Sequence, residues 1–147
     1  MRLWLRWLSI GVGVATFAWL SVEDTSTWPV AALGVLIALC AVLLWASAQP
    51  DWRASALVLS LTGGLIGALG AFTTTLLMFV KTAWHSHITP DYPPLMMLAM
   101  LERAPTWAAA GLCVGLALAL VWPLIEAERQ KKSFIILQQR PDHDNGV

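Results

Sequence analysis

The amino-acid sequence predicts an all-α integral membrane protein: an antiparallel four-helix transmembrane bundle with a short interfacial helix between its third and fourth spans. Three observations predict it. Four apolar runs, 3–22, 28–48, 54–80 and 107–125, take up most of the 147 residues. Each is long enough, at about 1.5 Å per helical residue, to cross a hydrocarbon layer about 30 Å thick. The chain is 58% hydrophobic and 12% charged, whereas soluble domains carry about 25% charged residues. The charges also avoid the runs. All nine acidic residues lie outside them, and of the nine basic residues only Arg6 lies within one. It sits near the end of the first run, where its aliphatic stem can carry the guanidinium to the headgroups.

The first span opens with Met1-Arg2-Leu3-Trp4-Leu5-Arg6, a basic start before an apolar stretch. Ala18-Trp19-Leu20-Ser21 offers no small-x-small cleavage signal, so an uncleaved signal-anchor helix is expected. In the second span Thr27 is the expected cap, with Pro29 in the first turn, where a missing N–H costs little. Asp51, after Pro50, is the expected cap of the third span. The link 49–53 is short enough to make spans two and three antiparallel neighbours. The third run would measure about 40 Å as a helix, so it tilts or lifts 81–87 toward the headgroups.

The outer loop, 81–106, contains a turn at 89–94. Asp91 is the expected cap of a short helix over about 93–103, with Pro93 and Pro94 in its first turn. Residues 95–101 are apolar all round and too few to span, which predicts an interfacial position. Pro105 is expected to separate this helix from span four, and Pro123 to kink the inner end of that span. Residues 1–125 thus form one transmembrane domain and 126–147 a cytoplasmic tail, with 140–147 expected to be disordered. In the tail Arg129, Lys131 and Lys132 stand beside Phe134-Ile135-Ile136-Leu137. They are the expected docking patch for anionic lipid, at about 1 kcal/mol per basic residue, or for a partner subunit.

Orientation follows from the basic residues. With the amino terminus inside, the cytoplasmic face collects Arg2, Arg6, Arg53, Arg129, Lys131, Lys132 and Arg140, and the outer face only Lys81 and Arg103. Both termini are therefore expected in the cytoplasm of a cell whose plasma (inner) membrane holds the protein. All nine tryptophans fall near predicted helix ends, where an apolar ring with one N–H suits the interface.

Small residues suggest how the helices meet. Span three carries Gly63, Gly64, Gly67 and Gly70, and span four Gly111-x-x-x-Gly115; Gly11-x-x-x-Ala15 and Gly34-x-x-x-Ala38 repeat the spacing on spans one and two. Such spacing lets helix backbones approach closely. The faces outnumber what a minimal bundle needs, so a membrane-protein partner or a homo-oligomer is expected beside the lipid bilayer itself. The zero net charge gives no sign of a nucleic-acid partner.

The strongest candidate for a chemical site is Lys81-x-x-x-His85-x-His87-x-x-x-Asp91. Two imidazoles and a carboxylate are ligands for Zn²⁺ or Cu²⁺, and Met96 and Met100 would add thioethers suited to Cu⁺. Hydrogen bonding of these histidines to backbone, or to Lys81, Asp91 and Glu102 at the headgroup level, competes with that reading. Thr73-Thr74-Thr75 would line a path for a neutral solute only if the hydroxyls were not bonded one turn back.

With the spans drawn as above, none contains Asp, Glu, Lys or His. That argues against ion-coupled transport and bis-histidine haem. No nucleophile elbow, phosphate loop or HExxH pattern occurs. The expectation is a non-catalytic accessory or assembly subunit, not an enzyme, with no cofactor. The alternatives are an outer-face copper or zinc protein and a neutral-solute facilitator.

Overall fold

The computed structural model describes residues 2–22, 25–48, 56–85 and 90–138, and these form five helices with no strand among them. They are α1 (Arg2–Leu20), α2 (Thr27–Ser47), α3 (Ala56–His85), α4 (Pro94–Glu102) and α5 (Ala104–Gln138). Four helical stretches are long and apolar enough to cross a membrane: Leu3–Leu20, Thr27–Ser47, Ala56–His85 and Pro94–Ile125. The expected disordered end, the 49–53 link and the Asp51 cap lie outside the described residues.

Helix ends differ from expectation in instructive ways. α3 continues past the apolar run and carries Lys81 and His85 in its last turns. Hydropathy ends at the first charge, but the backbone hydrogen bonds of a helix do not. At 30 residues it is about 45 Å long. Ser26, not Thr27, is the N-cap of α2, and Pro93, not Asp91, is the N-cap of α4; neither makes a side-chain cap bond. A helix of nine residues, α4, does form within the expected 93–103. Pro105 does not separate it from the last span. The helix breaks only around Arg103 and resumes at Ala104, with Pro105 in the opening turn, where proline's missing N–H has no intrahelical partner to lose. Pro123 lies inside α5, which runs on to Gln138.

α3 is the central element. It packs against α2, α4 and α5, while α1 packs on α2. The most extensive contact is between α3 and α5, and glycine makes it possible. A Cβ on Gly63 would fall on the Gly111 carbonyl oxygen, and a Cβ on Gly111 on that of Gly63. One on Gly67 would meet the Trp107 carbonyl, and one on Gly115 that of Leu59. Residue numbers therefore rise along α3 as they fall along α5. Ser60 Oγ donates to the Leu112 carbonyl across the same contact at 3.1 Å. In lipid no hydrophobic drive favours one helix neighbour over the acyl chains, so this backbone-to-backbone approach and its dispersion contacts hold the pair.

The α2–α3 contact uses the same device once. Gly34 lies against the backbone of Thr74, and Thr73 Oγ1 donates to the Gly34 carbonyl at 2.6 Å. α1 is attached differently. Its buried residues Leu5, Val12 and Trp19 recur every seven positions, a seam one residue wide. A Cβ on Gly11 or Gly13 would meet nothing within 4 Å. The outer surface is apolar: Phe17, Leu57, Phe72 and Leu120 are all more than half exposed, as befits a molecule whose solvent is hydrocarbon.

Gly63→Leu forces a side chain into a backbone contact with no flexible neighbour to yield. It is expected to cost at least the about 1–3 kcal/mol typical of overpacking, read as a lowered unfolding temperature in mild detergent. Gly11→Leu, in open space, should leave that temperature unchanged.

Candidate functional site

The densest assembly of chemistry-bearing side chains lies where the end of α1, the start of α2 and the end of α3 meet. The buried face of α3 explains how it arises. Ala71, Thr74, Met78 and Lys81 are all buried, spaced three, four and three, so Lys81 continues the stripe that faces the bundle. It is fully buried, and its Nζ stands 4.2 Å from the centroid of the Trp19 ring. An ammonium over an indole face is attracted by the negative face of the ring, by about 2 kcal/mol or more when both are desolvated.

Tyr92 locks the loop onto this assembly. It is the only tyrosine in the chain and is fully buried. Its hydroxyl donates to the Ser26 carbonyl at 3.0 Å, and its backbone N–H donates to Thr82 Oγ1 at 3.3 Å. The ring packs in one cluster with Trp19, Val30, Leu33, Met78 and Met100. One residue thereby joins the entry to α2, the last turns of α3 and the turn before α4.

The turn is fastened a second time beside it. His85, one helical turn beyond Lys81, has Nδ1 2.7 Å from Asp91 Oδ2, and both side chains are more than four-fifths buried. Asp91 therefore orients the His85 imidazole; it does not cap α4. The bond forms with either a neutral or a protonated ring and carries an ion pair only in the second case.

Of the predicted metal ligands, His85 and Asp91 are brought together, and His87 lies outside the described residues. Met100 is buried in the apolar cluster and Met96 is exposed on α4. Among the described residues no three His, Cys, Asp or Glu side chains are grouped closely enough to hold a metal ion.

Of the glycines read as packing positions, Gly63, Gly67, Gly111 and Gly115 sit between α3 and α5, Gly64 against Leu112, Gly70 against Val35 of α2 and Gly34 against Thr74, whereas Gly11 meets nothing within 4 Å. Thr74 and Thr75 donate back to the carbonyls of Gly70 and Ala71 at 2.7 and 3.0 Å, which turns both hydroxyls into the helix, and the Thr73 hydroxyl, 2.6 Å from the Gly34 carbonyl of α2 and 2.8 Å from the Leu69 carbonyl one turn back, is taken up at the α2–α3 contact. Arg129, Lys131 and Lys132 lie on α5 beyond the apolar run. Lys131 is exposed, and the side chains of the other two lie outside the described ones. Cys40 and Cys113 are free.

Two residues of this site escaped the sequence. Trp19 reads as an interfacial aromatic, yet it is 8% exposed, and its Nε1 is buried with no hydrogen-bond acceptor among the described residues. Tyr92 carries no local signal at all. Hydropathy assigns Lys81 to the outer loop, although its position three residues after Met78 extends the buried period. α3 carries both Lys81 and His85 within a single candidate span, so that span is not free of ionisable residues.

In comparisons with known proteins, no family model, no curated protein sequence and no solved structure matched this chain.

Tyr92→Phe removes only the hydroxyl bond to Ser26 and is expected to cost about 1 kcal/mol. Tyr92→Ala also empties the ring site and should cost about 3–5 kcal/mol. Thermal unfolding in detergent distinguishes the two.

Proposed function

We propose that this small multi-pass membrane protein is a non-catalytic accessory or assembly subunit. In this reading it is an antiparallel four-span bundle with both termini in the cytoplasm and α4 at the outer interface. It packs laterally against other proteins of the plasma membrane. The observation that carries the reading is the contrast among its glycines. Those of α2, α3 and α5 are matched to neighbours within the chain, whereas Gly11 and Gly13 of α1 meet nothing within 4 Å. A transmembrane helix with small residues facing outward offers another helix the close approach that glycine provides inside this bundle. The basic residues Arg129, Lys131 and Lys132 near the end of α5 would then help seat the complex at the cytoplasmic surface.

Purification from native membranes in mild detergent is the direct test. The wild-type chain is expected to elute with a stoichiometric membrane-protein partner or as a homo-oligomer. The double variant G11L/G13L should lose that association while keeping its own unfolding temperature. A lone wild-type monomer under every mild condition contradicts the proposal.

The His85–Asp91 contact favours a second reading, an outer-face copper or zinc protein. A carboxylate bonded to one ring nitrogen is the usual way a metal-binding histidine is oriented. That reading predicts stoichiometric metal in the wild type and its loss in H85A/H87A. The accessory-subunit reading predicts equal, substoichiometric metal in both.

A further inference from the structure

The α3–α5 contact leaves much of α5 without a neighbour. Gly115 lies against Leu59 and Ser60. Three residues back from Leu59 is Ala56, where α3 starts, and three or four on from Gly115 is Leu118 or Ala119. Beyond that point α3 offers α5 nothing among the described residues, yet α5 runs on to Gln138. The stretch 126–138 follows the apolar run and extends about 20 Å past it. Its described side chains, Ala127, Glu128, Gln130 and Lys131, are all exposed. A helix in a protein draws most of its stability from packing one face against something, so this one calls for a partner.

The spacing of the residues picks the face. Gly111 and Gly115 are turned to α3, so Cys113, midway between them at about 100° per residue, is turned away from it. From Cys113, steps of three and four residues reach Thr106, Ala109, Leu116 and Leu120, and all five are exposed. The same steps pass Pro123 and continue through Ala127, Gln130, Phe134 and Leu137. Glu126, Glu128, Arg129, Lys131 and Lys132 all fall off this line. An uncharged line of alternating three- and four-residue steps through an otherwise charged segment is the seam of a coiled coil. Thr106, Ala109 and Cys113 are small enough to let a second helix come close within lipid.

We infer that the protein forms a homodimer through parallel α5 helices that meet along Cys113, Leu116, Leu120, Ala127 and Gln130. Charge complementarity selects a second copy as the occupant. Copies inserted the same way are related by an axis along the membrane normal, so their α5 helices run parallel. In a parallel coil the residue just before a seam position meets the partner's residue five further on. Glu126 thus meets the partner's Lys131, and Lys131 the partner's Glu126. Within one helix positions five apart lie about 140° apart, so the two are not placed to serve each other in one chain. This face is separate from the α1 glycines on which the packing reading rests.

Oxidative cross-linking of the full-length protein in membranes is the test. Wild type, whose thiols are Cys40 and Cys113 alone, is expected to form a covalent dimer that Cys113→Ala abolishes and Cys40→Ala leaves intact. In a chain carrying both alanines, Leu120→Cys and Gln130→Cys should cross-link. Val114→Cys and Glu128→Cys, exposed but off the seam, should not. Gln130→Cys lies past the apolar run and decides alone if cysteines within lipid do not react. Glu126→Lys and Lys131→Glu should each lower the dimerisation constant in lipid-diluted vesicles about fivefold, as for two exposed ion pairs lost, and E126K/K131E should restore it. G11L/G13L should strip assembly held through α1 and leave the Cys113 cross-link in place; loss of that cross-link assigns the pairing to α1 and overturns the inference. Equal yields on and off the seam, monomer at every position, or a charge swap without rescue overturn it as well. A seam cysteine that cross-links only to a different protein overturns the second copy as occupant.

Discussion

The backbone contact between α3 and α5 is the constraint on which the remaining structure depends. Lipid tails are as apolar as leucine, so burial alone gives two helices no reason to prefer each other over solvent. Glycine at 63, 67, 111 and 115 removes the Cβ atoms that would keep the backbones apart. The contact also fixes register. Residue 63 lies opposite 111 and residue 67 opposite 107, so the opening of α5 and the α4 helix before it are held beside the C-terminal half of α3. The loop then has little choice of path, and Tyr92 reaches the Ser26 carbonyl 66 residues away in sequence.

Much of this was legible in the sequence, for a clear physical reason. A span must hide every backbone polar group from hydrocarbon, so long apolar runs translate directly into helices. The glycine faces of spans three and four were readable because small-x-x-x-small spacing puts both residues on one side of a helix. Helix ends were less readable. Hydropathy falls at Lys81, but the helix continues to His85, and Pro105 opens α5 where a boundary was expected. The Asp91 cap failed because the same carboxylate is held by His85, a contact that depends on how the loop folds back. Trp19 and Tyr92 were beyond reach for the same reason. Their partners come from other helices, and nothing within a few residues of either announces them.

Two modes of attachment coexist in the bundle, and their difference bears on function. α3, α5 and α2 meet through glycine-lined backbone contacts with interhelical hydrogen bonds at Ser60 and Thr73. α1 is held by three side chains in a single file, the last of them Trp19 beneath the Lys81 ammonium. These three helices make the closely packed part of the bundle. α1 offers surface along its open glycines. The polar assembly of Lys81, His85, Asp91 and Tyr92 ties the loop before α4 to that packed part at the end where α1 terminates, so the fastening of α1 and the chemistry of the site are physically linked.

The α3–α5 register can be measured in membranes by oxidative cross-linking. In a chain with Cys40 and Cys113 replaced by alanine, cysteines at Ser60 and Leu112 should form an intramolecular disulfide, because the Ser60 hydroxyl already touches the Leu112 carbonyl. Cysteines at Ser60 and Trp107, well apart along the paired helices, should not. Efficient cross-linking of 60 to 107 with none between 60 and 112 would contradict the account.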